Sequence, residues 1–306
     1  MSTESSPTSA DGLLLLNKPA GLTSNQALQK VKRLLKAKKA GHTGSLDPAA
    51  TGMLPLCFGE ATKVCAYLLE ADKSYRVTAR LGEATDTGDA DGKAIAAADV
   101  PQLDDAAWER LLGGFIGESE QVPPMYSALK KDGKRLYVLA RQGEVVEREA
   151  RPIRIDSIEL LEAHGSRLVF RVHCSKGTYV RTLVEDIAKV AGTVAHTTGL
   201  HRETVGDFRA DDMLDLAQAE EVAAGGPDAL RERLLPADVA LARWPARTLE
   251  TAAARRFVEG QAVDVEQNGE AGLIRVYQEG TGFLGVGEMT PAGKLAPRRI
   301  FNAGKP

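Results

Sequence analysis

The 306-residue chain predicts an α+β protein, a large mixed domain followed by a small β-rich one. Three observations carry that expectation. Residues 74–81 (SYRVTARL) alternate polar and apolar side chains in the manner of a half-buried strand. Apolar residues recur at helical spacing after Thr23 and again after Thr178. After Trp244-Pro245 the texture changes to short alternating segments separated by Gly and Asn turns.

In chain order, residues 12–17 form a first short strand, closed by the turn Lys18-Pro19-Ala20-Gly21. Thr23 or Ser24 caps a helix that runs to about residue 37. Ala27, Leu28, Val31 and Leu35 share one of its faces, and Lys32, Arg33 and Lys36 occupy the other. The glycine-rich turn Gly41-His42-Thr43-Gly44 leads to a second helix start, with Asp47 as N-cap and Pro48 in the first helical position. The strand at 74–81 is followed by the turn TDTGDADG at 85–92. Residues 123–152, rich in Lys, Arg and Gly, read as a mobile insertion. Strands are expected at 154–161 and 168–174, and a helix at 178–190. Residues 211–240 are acidic and helix-prone, interrupted by Gly225-Gly226-Pro227. Strands at 261–266, 272–278 and 282–288 build the small C-terminal domain.

Composition narrows the function classes. With 43% apolar and 26% charged residues the chain is an ordinary soluble protein, long enough for about two domains. Three cysteines with no C-x-x-C pair argue against a disulfide framework and a thiolate zinc site, and suit a reducing cytoplasm. No apolar run approaches the roughly 18 residues of a membrane span. The opening MSTESSPTSADG lacks the features of a secretory signal, so residues 1–11 read as a disordered polar tail. The net charge of −3 is uninformative, but its distribution is not. Residues 12–63 carry a balance of +6, residues 83–120 one of −8, and residues 126–154 one of +4. Such segregation can give a basic face for a polyanion if folding gathers the segments, and no patch if folding interleaves them.

Several cofactor motifs fail. Aligning Gly92 with the glycine of a calcium loop puts Thr87 first and Ala98 twelfth, where Glu is required. Gly282, Gly285 and Gly287 miss the dinucleotide spacing, and no Walker loop occurs. The five histidines are scattered, with His196 and His201 at the wrong spacing for one helical face. Neither a metal nor an organic cofactor is expected. Two segments can carry chemistry: Asp47 among its glycines, which let a backbone approach a ligand, and Ser175-Lys176-Gly177-Thr178-Tyr179-Val180-Arg181, which offers cations beside an aromatic face.

Gly44-Ser45-Leu46-Asp47-Pro48-Ala49-Ala50-Thr51-Gly52 resembles the catalytic motif of the bacterial tRNA pseudouridine-55 synthases, the TruB family. Asn17-Lys18-Pro19 with Gly21 and Thr23-Ser24 is similar to that family's opening motif, and Lys73-Ser74-Tyr75 with Thr85-Asp86-Thr87-Gly88-Asp89 to its second. Pro123-Pro124-Met125-Tyr126-Ser127-Ala128 and Lys176-Gly177-Thr178-Tyr179-Val180-Arg181-Thr182-Leu183 resemble two more. The likeness runs from about residue 12 to 209. The C-terminal segment is similar to the family's PUA-like RNA-binding appendage.

The resemblance implies a pseudouridine synthase catalytic fold at 12–243, a mixed, mainly antiparallel sheet with flanking helices, carrying an RNA-clamping insertion at about 123–152. It implies a PUA-like domain at 244–306. The implied reaction isomerises a uridine of the tRNA T-loop, without cofactor, in a cytoplasmic monomer that needs no protein partner. Its implied catalytic residues are Asp47, Tyr75 and Arg181. Arg181 would keep Asp47 ionised, Asp89 would hold Arg181, and Tyr75 would stack on the uracil. Tyr179 and Leu200 would complete the pocket walls, and His42 would fill the stack left by the flipped nucleotide. Lys18 and Lys176 would make backbone or phosphate contacts. One departure stands out: the family's Leu-Arg-Arg is here Leu200-His201-Arg202, which puts a phosphate contact at the first of those arginine positions in doubt. The rival readings are a non-catalytic tRNA-binding or folding protein in which Asp47 merely caps a helix, and a glycosidic-bond hydrolase using Asp47 and Asp89 as paired carboxylates.

Overall fold

The structure, a computed structural model, describes residues 10–265 and 272–301. Most of the tail expected at 1–11, residue 266 of an expected strand, and residues 302–306 therefore lie outside the described residues. Ala10 and Asp11, expected in that tail, belong to the folded body. Ala10 is buried among Leu14, Leu16 and Phe58, and the Asp11 carboxylate accepts from the Glu60 backbone N–H at 2.6 Å.

The first half of the chain forms β1 (Gly12–Lys18), α1 (Ser24–Leu34), β2 (Ala40–His42), β3 (Thr51–Phe58), α2 (Cys65–Leu69), β4 (Lys73–Leu81), β5 (Glu83–Thr85), β6 (Ala94–Ala97), α3 (Asp105–Gly113) and β7 (Gly117–Gln121). It continues with β8 (Lys130–Lys131), β9 (Lys134–Arg135), α4 (Leu136–Arg141), β10 (Arg151–His164), β11 (Arg167–Cys174), α5 (Val180–Val190), β12 (Ala195–Val205), β13 (Leu214–Asp215), α6 (Leu216–Ala224) and α7 (Pro227–Arg231). The remainder is β14 (Ala246–Leu249), α8 (Thr251–Val258), β15 (Val263–Asp264), β16 (Leu273–Gln278), β17 (Gly282–Met289) and β18 (Lys294–Ile300).

Nine strands make one mixed sheet in the order β13-β1-β3-β12-β4-β11-β10-β7, with β2 alongside β3. Two of its pairings, β1 with β13 and β3 with β12, are parallel and the rest antiparallel, as expected for a mainly antiparallel mixed sheet. The leucine run of β1 makes sense as a strand buried on both faces. Leu14 and Leu16 pack with α1, α6 and α7, whereas Leu13 and Leu15 pack with Met53, Leu68 and the C-terminal residues Val286 and Phe301. A separate core fills the other half of the sheet, where Val77, Phe170 and Val172 meet Trp108 of α3 and Leu183 and Ile187 of α5. The two halves meet at β3 and β12, which pair only through His201 with Thr51 and Arg202 with Gly52.

Helix α1 is capped by Thr23, one of the two expected caps, in a capping box with Gln26, but ends at Leu34, because Lys36 turns into the left-handed region at φ 51°. No helix follows Asp47-Pro48. The Pro48 carbonyl, which would seed one, instead accepts from the Gly21 N–H at 2.9 Å and the Lys18 ammonium at 3.2 Å, and the chain enters β3 at Thr51. Within the expected insertion, Leu136 and Leu139 of α4 are buried and the lysines of β8 and β9 are exposed. Arg151 and Pro152 already belong to β10, so the sheet reclaims the last two residues of that segment. In the C-terminal segment, β14 and β18 join the three expected strands in a five-stranded sheet, order β14-β16-β17-β18-β15, and α8 packs on it through Phe257 against Ile274, Val276 and Leu295. It docks on the larger body through Tyr277, whose hydroxyl donates to Asp238 at 2.6 Å, and through Lys63, which donates to the Ile300 carbonyl at 2.7 Å. No helix among the described residues is long and apolar enough to cross a membrane.

Candidate active site

The segment 43–50 is an irregular loop lying over the seam where β3, β12 and β4 meet, and it is anchored along its whole length. The Arg202 guanidinium donates to the Gly44 carbonyl at 3.0 Å. The buried Ser24 hydroxyl both accepts from the Leu46 N–H (2.8 Å) and donates to the Leu46 carbonyl (3.1 Å). Pro48 is held by Gly21 and Lys18, and Ala50 N–H closes a tight turn onto the Asp47 carbonyl at 3.1 Å. The motif from Asn17 to Ser24 is thus the scaffold of the Asp47 loop. Irregular backbone survives burial here because each polar group of the loop named above has a partner.

Asp47 projects from this scaffold with its side chain 47% exposed, 3.2 Å from the guanidinium of Arg181, which is only 8% exposed. Arg181 sits in the first turn of α5 and is fixed from three further directions. It donates to the Thr87 carbonyl at 2.9 Å and the Tyr126 carbonyl at 2.7 Å, and pairs with Asp89 at 3.4 Å. Asp89 is held in turn by the Thr87 hydroxyl (2.5 Å) and the Asp91 N–H (3.2 Å). The turn that spaced its acids like a calcium loop uses them internally, since Asp86 accepts from the Lys93 N–H at 2.8 Å.

The electrostatics differ from expectation in one respect. The Asp47 carboxyl is held above the ordinary carboxylate range, because burial outweighs the pull of Arg181, and Asp89 and Asp91 push the same way as burial. Arg181 favours the carboxylate form but does not dominate. The result is a carboxylate that is exposed at its tip, oriented by a rigid cation, and more basic than one in water.

Around it, Leu46, Tyr75, Val180 and Leu200 pack in one apolar cluster, with Leu200 only partly covered. Tyr75 is 8% exposed, and burial pushes its phenol up while Arg202 pulls it down. Tyr179 is half-buried next to Arg181, and its backbone is clamped to the side chain of Gln121, which gives and takes one hydrogen bond (3.2 and 2.8 Å). His42 ends β2, half-buried, with Nδ1 enclosed and no partner for it among the described residues; burial and Arg202 hold its pKa down, so the ring is neutral.

The two lysines expected to make backbone or phosphate contacts sit in different surroundings. Lys18 is fully buried, and its ammonium donates to the carbonyls of Pro19 (2.8 Å), Leu22 (2.7 Å) and Pro48, leaving no hydrogen for a phosphate. Burial lowers its pKa to about 8. Lys176 is exposed and paired with Glu70, outside the cluster around Asp47. His201, the departure from the family pattern, bonds the Thr51 hydroxyl through Nδ1 at 2.8 Å and is held neutral by burial.

Sequence reasoning missed Ser24, Gln121 and Arg202 as builders of the site. For Ser24 and Arg202 the only signal was membership in the short motifs, which says nothing of which way each side chain points, and Gln121 lies in none of them. Asp72, Asp156 and His173 are described residues whose ligand atoms converge as a metal site would require. Arg154 spans both carboxylates there, at 3.2 and 2.7 Å, and Ser74 engages His173 Nδ1 at 2.8 Å, so a cation already occupies the acids.

Comparison with known proteins agrees along the chain. Residues 32–180 match the family model for the N-terminal domain of TruB family pseudouridylate synthases, 181–242 the C-terminal domain of tRNA pseudouridylate synthase B, and 245–301 the C-terminal model of pseudouridine synthase II TruB. The tRNA pseudouridine synthase B of Nitrosococcus oceani is 51% identical over 290 residues, 95% of this chain and 94% of that protein. That of Pseudomonas aeruginosa is 51% identical over 296 residues, 96% of this chain and 97% of that protein. Among solved structures, a Cbf5–Nop10–Gar1 complex gives a TM-score of 0.73 at 24% identity, covering 95% of this chain and 85% of that one. An archaeal box H/ACA Nop10–Cbf5 complex gives 0.71 at 22%, covering 97% and 89%, so the fold is shared far beyond the reach of sequence. With half its residues shared with full-length relatives and matching models along nearly all of its described length, the chain belongs to the TruB family of pseudouridylate synthases.

Proposed function

We propose that this chain isomerises the uridine at position 55 in the T-loop of tRNA to pseudouridine, with Asp47 opening the N-glycosidic bond. The observation that carries the reading is an aspartate that caps no helix, lies on an anchored loop, and has its half-exposed carboxylate against a buried arginine. Such a group can attack the sugar or the base, or take the sugar proton that permits elimination. The detached uracil then turns and rejoins through carbon, and in this reading the Tyr75 hydroxyl in the pocket wall relays the proton from that carbon, passing its own proton to solvent as it takes that one. Arg181 is a positioning and charge-balancing group, immobilised by two backbone carbonyls and Asp89. A uridine folded into a loop must be everted at a cost of about a few kcal/mol, and the neutral His42 ring at the end of β2 suits the vacated stack.

Both rivals lose support. A helix cap without a helix leaves Asp47 no structural role of that kind. A paired-carboxylate hydrolase needs a second carboxyl free to face substrate, whereas Asp89 is engaged by Thr87, Asp91 and Arg181. Asp47→Asn tests the reading: the variant is expected to bind a T stem-loop RNA and form no pseudouridine. Product at the wild-type rate, or free uracil released by the wild-type protein, overturns it.

A further inference from the structure

We propose that Arg202 is a positioning residue that fixes Tyr75 and the Asp47 loop relative to each other, so that one buried guanidinium sets the width of the pyrimidine seat. This rests on the reading in which Asp47 and Tyr75 flank the uracil.

Arg202 is 1% exposed and lies on β12 between the two strands that matter. Its register partners are Gly52 on β3, just beyond the Asp47 loop, and Tyr75 on β4. The approach to β3 is as close as a backbone allows, since a Cβ on Gly52 would stand 2.3 Å from the Arg202 carbonyl oxygen. From there the side chain runs under the loop. Its Nε donates to the Met53 carbonyl at 2.6 Å and one arm of the fork to the Gly44 carbonyl at 3.0 Å. Gly44 sits at φ 83°, a backbone conformation that favours glycine, and a Cβ there would make only ordinary contact with the other arm at 3.6 Å. Tyr75 is its direct cross-strand neighbour on β4, and the charge of the guanidinium favours the ionised phenol. Among the described residues Arg202 forms no ion pair with a carboxylate. A buried cation without a counter-charge is a poor device for stability. It is a good one for geometry: a planar fork can hold two carbonyls at fixed mutual angles while lying beside the phenol of its cross-strand neighbour, which an ammonium cannot.

The test uses Arg202→Lys and Arg202→Met in the full chain, with wild type alongside. Single-turnover pseudouridine formation and binding are measured on a T stem-loop RNA, and the Tyr75 phenol is titrated by NMR of ring-labelled tyrosine, assigned with Tyr75→Phe. The groups facing that phenol are Arg202 from β12, Cys174 from β11 and Asp47 from the loop, so only the first changes. Arg202→Lys keeps the charge and loses the fork; the rate is expected to fall about ten- to a hundred-fold with RNA affinity nearly unchanged. Arg202→Met should in addition move the phenol titration upward by about one pH unit. A Lys variant as fast as wild type, or a Met variant with an unmoved phenol, overturns the proposal. If the Met variant does not fold, the Lys variant decides: loss of rate with retained binding supports, and an unchanged rate refutes. A wild-type protein that makes no pseudouridine would sink the functional reading while leaving the phenol titration to judge Arg202.

Discussion

Ser24 and Thr23 are neighbours at the start of α1, and they make opposite predictions. Ser24 is buried, and its hydroxyl satisfies both the N–H and the carbonyl of Leu46, next to Asp47. Leu46 is itself 6% exposed, so water cannot replace the lost hydroxyl. Ser24→Ala leaves two buried polar groups unpaired, each at about 1–3 kcal/mol, or about 2–6 kcal/mol for the pair. If that cost falls on the active loop geometry, the rate of the chemical step drops about 30- to 20,000-fold at about 1.4 kcal/mol per decade. Thr23 is exposed and caps the helix, its hydroxyl accepting from the Gln26 N–H at 3.1 Å, with no contact to the loop. Thr23→Ala should cost about 1 kcal/mol of stability and leave the rate alone. Single-turnover product formation at saturating enzyme, urea unfolding and RNA binding on both variants separate the effects. A Ser24→Ala rate within about three-fold of wild type, or equal slowing by Thr23→Ala, would refute the anchoring argument.

The remaining predictions concern Gly52 and the acid limb. Gly52→Ala forces a side chain onto φ 99° and into the Arg202 carbonyl, and should cost about 3 kcal/mol or more, read as a lowered unfolding midpoint; an unshifted midpoint would contradict the close approach. The folded pKa of Asp47 is raised, so the rate should fall on acidification with a midpoint above the usual carboxylate range. For stability the folded state binds the extra proton, so ionised Asp47 destabilises the fold above its folded pKa and ceases to do so as pH falls below the unfolded value. Asp47→Asn should therefore raise the unfolding temperature at neutral pH, with the gain vanishing in acid; a loss at neutral pH would reverse the sign of the argument.

What the sequence made legible follows from how local each signal is. The alternation of 74–81 and the apolar face of residues 27, 28, 31 and 35 are periodic, and the structure has β4 and α1 there. The helix expected after Asp47-Pro48 rested on local propensity, and three long-range partners of the loop overrode it: Lys18, Gly21 and Ser24. Lys18 and Arg202 were legible as cations and not as buried ones, because burial of charge depends on carbonyls contributed by other segments. Strand β18 (KLAPRRI) was hidden by its Pro and three basic residues, which suit a strand in a small, half-exposed sheet.

The spread of the motifs along the chain has a single physical origin. A carboxylate that must stay reactive cannot be tied down through its own oxygens, so its backbone has to be tied instead, and the partners come from wherever the fold brings hydrogen-bonding groups to the seam. The opening motif supplies Lys18, Gly21 and Ser24, and the segment after the apolar wall supplies Arg202. The second motif supplies Thr87 and Asp89, which immobilise Arg181 in the same indirect way. Direct contact with Asp47 among these residues belongs to Arg181 alone, and that contact leaves the carboxylate half open. Motif residues distant from Asp47 in sequence are thus expected to affect turnover more than RNA binding, whereas the exposed Arg33 of α1 and the exposed lysines of the β8–β9 hairpin, which touch none of these anchors, should do the reverse.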